Sequence, residues 1–215
     1  MAESHRVQYH AEELGDAQWD AIPPLHIAHF LWETAEEPYR PEVQVRLYYT
    51  DEALYARFRT YESDPVAIHN DGFNPTVYQD SCVEFFLQPA PDQDPRYLNF
   101  EFNSNGSLLL GLGVNRENRD QTPGHQPSHY GIQAERGLLD EHGHVYWQLS
   151  FRIPFAVLAD WFPSFTPSDR MAMKGNFYKC GDLTPRPHYA SWSDIPEVKP
   201  DFHRSQYFGS LIFER

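Results

Sequence analysis

Two aromatic-rich segments, VYQDSCVEFFLQP (residues 77–89) and RYLNFEFN (96–103), carry Glu84, Gln88, Asn99, Glu101 and Asn103 among residues that otherwise favour β-strands. Carboxylates accept hydrogen bonds and side-chain amides both donate and accept, so such a set can fix the hydroxyls of a neutral sugar. Tyr78 and Tyr97 border it, and an aromatic face suits the apolar C–H face of a pyranose ring. Two carboxylates on neighbouring strands are also the equipment of a glycoside hydrolase, which makes Glu84 and Glu101 a candidate catalytic pair. A plainer reading needs no ligand: alternating polar residues are the usual outer face of an antiparallel sheet.

The strands that must position these groups follow from period-two alternation. In DSCVEFFLQ, Ser81, Val83, Phe85 and Leu87 share one face, and Cys82, Glu84, Phe86 and Gln88 the other. In RYLNFEFN, Leu98, Phe100 and Phe102 oppose Tyr97, Asn99, Glu101 and Asn103. If PAPDQDP (89–95) closes an antiparallel hairpin, Glu84 falls opposite Asn99 or Glu101. Further strands are predicted at VQVRLYY (43–49) and ALYARFRTY (53–61), which form a hairpin, and at 107–114, 144–153, 171–180 and in the terminal YFGSLIFE. Val145, Trp147, Leu149, Phe151 and Ile153 line one face of the 144–153 run. Pro154 opens a short helix in PFAVLADWF, and Asn105-Gly106 marks a hairpin turn rather than a glycosylation acceptor. Residues 1–42 are Pro-punctuated and predict an irregular segment wrapping the body, while 62–76 and the polar stretch 115–143 predict loops.

With 215 residues, 15% aromatics, 18 Pro and 12 Gly, the chain predicts one all-β domain over 1–215: an antiparallel two-sheet β-sandwich of jelly-roll or immunoglobulin-like type with short helical insertions. A net charge of −14 disfavours nucleic acid and anionic membrane surfaces, whose affinity rests on Lys and Arg, and leaves a neutral ligand unaffected. No secretory leader and no 18-residue apolar run are seen, so the expected location is cytoplasmic. Cys82 and Cys180, far apart in sequence and outside any CxxC pattern, are expected to be free thiols. The eleven His, among them His125, His129, His142, His144, His188 and His203, lack helical metal-ligand spacing and read as scattered surface residues. Calcium is the better metal candidate, with Asp64, Asp71 and Asp80 as oxygen donors, although no EF-hand spacing assigns them. No GxSxG elbow supports a serine triad.

YQDSCVE (78–84), WSD (192–194) and DFHRSQYFGSLIF (201–213) together resemble the family 9 carbohydrate-binding modules and their free-standing, DOMON-like relatives, over a span from about Trp19 to the C-terminus. The resemblance implies a jelly-roll sandwich, structural calcium in some members, and glucose units of oligo- or polysaccharide chain ends held between two aromatic walls, in the service of carbohydrate catabolism. It places one wall at Tyr78, six residues before Glu84, and the other at Phe202, six before Phe208, each where the family carries Trp. Glu84 matches the ligand carboxylate and Asn103 a ligand amide, whereas Glu101 stands where the xylan-enzyme modules carry Arg. Trp192 is a third aromatic candidate, with the hydrophobic core as its competing destination. Non-catalytic sugar binding is therefore the expected function, with the glycoside hydrolase as the alternative.

Overall fold

The structure is a computed structural model that describes residues 3–33, 36–71, 74–120 and 126–215. In chain order it contains β1 (Ser4–Tyr9), the single turn α1 (Asp16–Trp19), β2 (Leu25–His26), β3 (His29–Phe30), β4 (Val43–Tyr49) and β5 (Ala53–Thr60). Next come β6 (Cys82–Gln88), β7 (Tyr97–Asn103), β8 (Leu108–Gly113), β9 (Arg119–Asp120), β10 (Gln133–Leu139) and β11 (Val145–Pro154). Helix α2 (Phe155–Trp161), β12 (Ala172–Cys180), β13 (Tyr189–Ser191) and β14 (Gly209–Glu214) complete the chain.

The strands join in the order β10-β11-β5-β4-β1-β14-β12-β6-β7-β8-β9, with β2 on β4 and β13 on β12 and β3. This path curls until its two halves face each other. Val45, Leu47, Ala56, Phe58, Trp147, Leu149 and Phe151 of one half share a core with Val83, Phe85, Phe100, Phe102, Phe177 and Leu211 of the other. Ring contacts cross the gap, Phe102 to Phe151 at 4.5 Å and Phe58 to Phe177 at 6.1 Å. The alternating runs thus send the apolar faces read from the sequence inward, except that Val145, at the start of β11, is exposed.

Four expectations are corrected. The sheet is mixed rather than purely antiparallel: β1 runs parallel to both β14 and β4 and stitches the two halves together. SHRVQY buries one side chain, Val7, so its sequence carries little strand periodicity, and the chain before residue 42 is less irregular than its prolines suggest. The 115–143 stretch also holds a strand, β10, an edge strand whose exposed residues alternate weakly and whose pairing with β11 is interrupted near Gly137. His125 lies outside the described residues.

The fourth correction concerns the polar face of β6 and β7, which is covered rather than solvated. Glu84 and Glu101 are each only 3% exposed, and Asn99 and Asn103 are fully buried. Residues from the DFHRSQYFG segment lie over this face, where Phe202 and Phe208 join Phe86, Tyr97, Leu109, Tyr178 and Ile195 in a second apolar cluster.

Candidate functional site

Between that cover and the β6–β7 face lies a cavity of ≈ 510 Å³, within the size range of sites that enclose small molecules. Its floor is built by register. The β6–β7 ladder sets Glu84 directly opposite Glu101, and the β6–β12 ladder sets Cys82 directly opposite Cys180. Glu84, Glu101, Cys180 and, from β8, Leu109 all line the cavity.

Aromatic rings form its walls. Tyr78, half-buried in the 3₁₀ turn Val77–Gln79, contributes one ring to the lining, and its carbonyl accepts from the Asp182 N–H at 3.2 Å. Phe202 stands in a second group with Trp32 and Tyr189, its ring 5.6 Å from Trp32 and stacked on Tyr178 at 4.2 Å. Trp32 adopts a left-handed backbone, φ 55°, a conformation a bulky residue holds only when its surroundings impose it. Its indole N–H donates to the Glu197 carbonyl at 2.8 Å, which helps to impose it.

Charge inside the cavity is balanced by Arg119, which opens β9, and by Arg116 in the turn between β8 and β9. Arg119 forms an ion pair with Glu101 at 3.6 Å, and Arg116 one with Asp201 at 3.1 Å. The Asn99 amide also donates to Glu101 Oε1 at 2.9 Å. Burial dominates the Glu101 carboxyl and raises its pKa to about 7, with Arg119 and the Asn99 bond pulling the other way. For Glu84, burial first, then the neighbouring Cys180 and Glu101, pushes the pKa well above the ordinary carboxylate value. His203 is held neutral by burial and by Arg119 and Arg116. Arg119 can only donate to its Nε2, at 3.0 Å, so the ring proton is assigned to Nδ1, facing the Tyr97 hydroxyl at 2.8 Å.

Of the site residues read from the sequence, the cavity brings together Tyr78, Glu84, Glu101 and Phe202. Asn99 sits behind the floor, supporting Glu101, with room made for it by Gly111, where a Cβ would come within 2.5 Å of Asn99 Oδ1. Asn103 lies outside the cavity lining: its amide donates to Asp80 and the His69 carbonyl, and its oxygen accepts from the Asn105 and Ser107 N–H groups in the β7–β8 turn. Trp192 is 5% exposed in the main core, where it packs against Phe177. Trp32, Tyr189, Asp182, Arg116 and Arg119 were not singled out by the sequence, because they sit in irregular segments or very short strands that carry no periodicity.

The acidic residues considered for calcium do not converge. Asp80 is fully buried, and its oxygens accept from the Ile68 and His69 N–H groups and from Asn103. Among the described residues, the group of three titratable side chains close enough to share an ion is Cys82, Glu84 and Cys180, not an aspartate set. Nor does the floor favour a hydrolase: Glu84 and Glu101 project from adjacent strands of one wall rather than from the two sides of a cleft.

An all-β fold with one face enclosing an aromatic-walled, carboxylate-floored cavity defines a binding module for a small polar ligand. The chain matches the sequence model of carbohydrate-binding family 9 over residues 16–213 and belongs to that family. It is similar to a crystal structure of a candidate carbohydrate-binding protein from Bacteroides uniformis, at 32% identity over the whole of both chains with a TM-score of 0.77. The same fold appears in a family 9 carbohydrate-binding module of Caldicellulosiruptor kristjanssonii in complex with cellotriose (18% identity, 99% of this chain and 94% of that one, TM-score 0.66). A structure of a family 9 module from that organism in complex with glucose gives 17% identity, 99% and 97% coverage, and a TM-score of 0.65. No curated protein matches the chain at a significant level.

Proposed function

We propose that this chain is a non-catalytic carbohydrate-binding unit that takes a neutral sugar, of the glucose type or the end of an oligo- or polysaccharide chain, into the cavity between Tyr78 and Phe202. The observation that carries the reading is the pairing of those aromatic walls with the Glu84–Glu101 floor in one cavity. Rings supply contact area to the C–H faces of a pyranose, while the floor fixes its hydroxyls. A protonated Glu84 can donate a hydrogen bond to a sugar oxygen, and Glu101 accepts once ionised. Family membership supports the ligand class, as do the cellotriose and glucose carried by the Caldicellulosiruptor modules. Where the resemblance leads one to expect an Arg, Glu101 is joined by Arg119 from another strand, so a cation is present by a different route. We place such binding in carbohydrate catabolism, where a module of this kind retains a chain end near degrading enzymes.

Hydroxyls leaving water gain little net energy, so binding is expected with Kd in the micromolar to millimolar range, roughly −8 to −4 kcal/mol. Titration calorimetry with glucose and cello-oligosaccharides tests this. Tyr78→Ala and Glu84→Ala should each weaken binding at least several-fold. If a sugar binds and neither change weakens it, the site is elsewhere; if no neutral glycan binds, the function fails.

A further inference from the structure

Cys82 and Cys180 are separated by almost half the chain, yet the β6–β12 register places them face to face on the cavity side of the sheet. Glu84 stands two residues along β6 on the same face. The Cys180 thiol donates to Glu84 Oε1 at 3.1 Å, and Cys82 Sγ lies 4.0 Å from the same oxygen. The two sulfurs and the carboxylate oxygen all lie within 4.8 Å of one another, and both thiols are free. A tetrahedral zinc-type ion with bonds of about 2.0–2.3 Å has ligand–ligand edges of about 3.5–3.8 Å, so 3.1 and 4.0 Å bracket the required spacing.

We propose that Cys82, Cys180 and Glu84 form a binding site for a thiophilic d¹⁰ ion of the zinc class. Two soft sulfurs with one carboxylate favour such an ion over calcium or magnesium, which select oxygen donors. Three protein ligands leave a fourth position open, and because Glu84 and Cys180 line the cavity, that position faces it and the ion can enter through it. Binding transfers the two thiol protons, and any proton on the Glu84 carboxyl, to solvent. The resulting cluster of two thiolates, one carboxylate and a divalent ion carries one net negative charge, in a cavity that Arg116 and Arg119 also line. The site goes beyond sugar binding and is read out without a sugar, although both use Glu84.

The test is titration of the reduced, chelator-treated full chain with Cd²⁺ as spectroscopic probe and Zn²⁺ by competition with a chromophoric chelator. The expected result is one equivalent of Cd²⁺ bound with a thiolate-to-metal charge-transfer band, displaced by Zn²⁺. Cys82→Ser and Cys180→Ser should each diminish the band and weaken Zn²⁺ at least tenfold, whereas Glu84→Gln should weaken the ion while keeping the band, since both sulfurs remain. Should a cysteine variant not fold, a rise in the thermal midpoint of the wild type with one equivalent of Zn²⁺, smaller in Glu84→Gln, gives the same information. Absence of the band in the wild type, Zn²⁺ affinity unchanged in Cys82→Ser, or a wild-type thermal midpoint unmoved by Zn²⁺ would each overturn the site.

Discussion

Replacing Glu101 by Gln removes a proton-binding group without changing its size, and the pH dependence of stability then reads out the floor of the cavity. In the folded chain Glu101 titrates at about 7, against 4.5 for an unperturbed carboxyl. Between those values the folded state holds a proton on Glu101 that the unfolded chain has released, so the contribution of this group to stability falls as pH rises from 4.5 to about 7 and no further above it. At about 1.36 kcal/mol per unit, this interval corresponds to about 3 kcal/mol. His188 and His203, whose pKa values burial lowers to about 3 and about 2, act in the opposite sense below 6.5. They are present in both proteins and to first order cancel in the difference. Urea unfolding at a series of pH values is the assay. The Glu101→Gln variant should gain about 3 kcal/mol relative to wild type as pH rises from about 4.5 to about 7, a shift in relative midpoint of roughly 1 M urea for an m-value of about 3 kcal/mol/M. A difference that stays flat across that range would show that Glu101 is not a buried, desolvated carboxyl and would remove the electrostatic description of the floor.

Arg119→Ala deletes the cation that pulls the Glu101 pKa down, so carboxyl NMR should place that titration above about 7; no upward movement would dissolve the proposed pairing. Gly111→Ala drives a methyl against Asn99 Oδ1 and should cost about 1–3 kcal/mol in urea unfolding, since overpacking must push the amide off Glu101. Trp192→Ala empties a core position and should cost about 3–5 kcal/mol of stability while sugar affinity of the folded protein is unchanged; a selective loss of binding would return Trp192 to the site.

How much was legible in the sequence depended on periodicity. The runs 83–87, 98–102 and 145–153 alternate, so their faces and the β6–β7 hairpin followed from parity, which narrowed the partner of Glu84 to Asn99 or Glu101; the ladder register selects Glu101. What parity does not say is whether the second face is open. That Glu84, Asn99 and Glu101 are buried follows from where the segment around Phe202 and Phe208 folds back, a long-range event without local signature. β1 and β10 were missed for a related reason: an edge or bridging strand with few inward residues hardly alternates. The cysteine pair was hidden because register between β6 and β12, not spacing in the chain, brings the two thiols together. Motif resemblance supplied Phe202, whose ring reaches the cavity, and Asn103, whose amide the structure commits to the β7–β8 turn.

Soaking crystals of the protein with glucose or cellotriose and locating the sugar by difference density tests the central claim most directly. The expected density is a pyranose between Tyr78 and Phe202, with hydroxyls within about 2.6–3.2 Å of Glu84 and Glu101 oxygens. A sugar bound instead in the separate cavity bordered by Trp19, Tyr55 and Arg57, or an empty Tyr78–Phe202 cavity at sugar concentrations that saturate binding in solution, would contradict it.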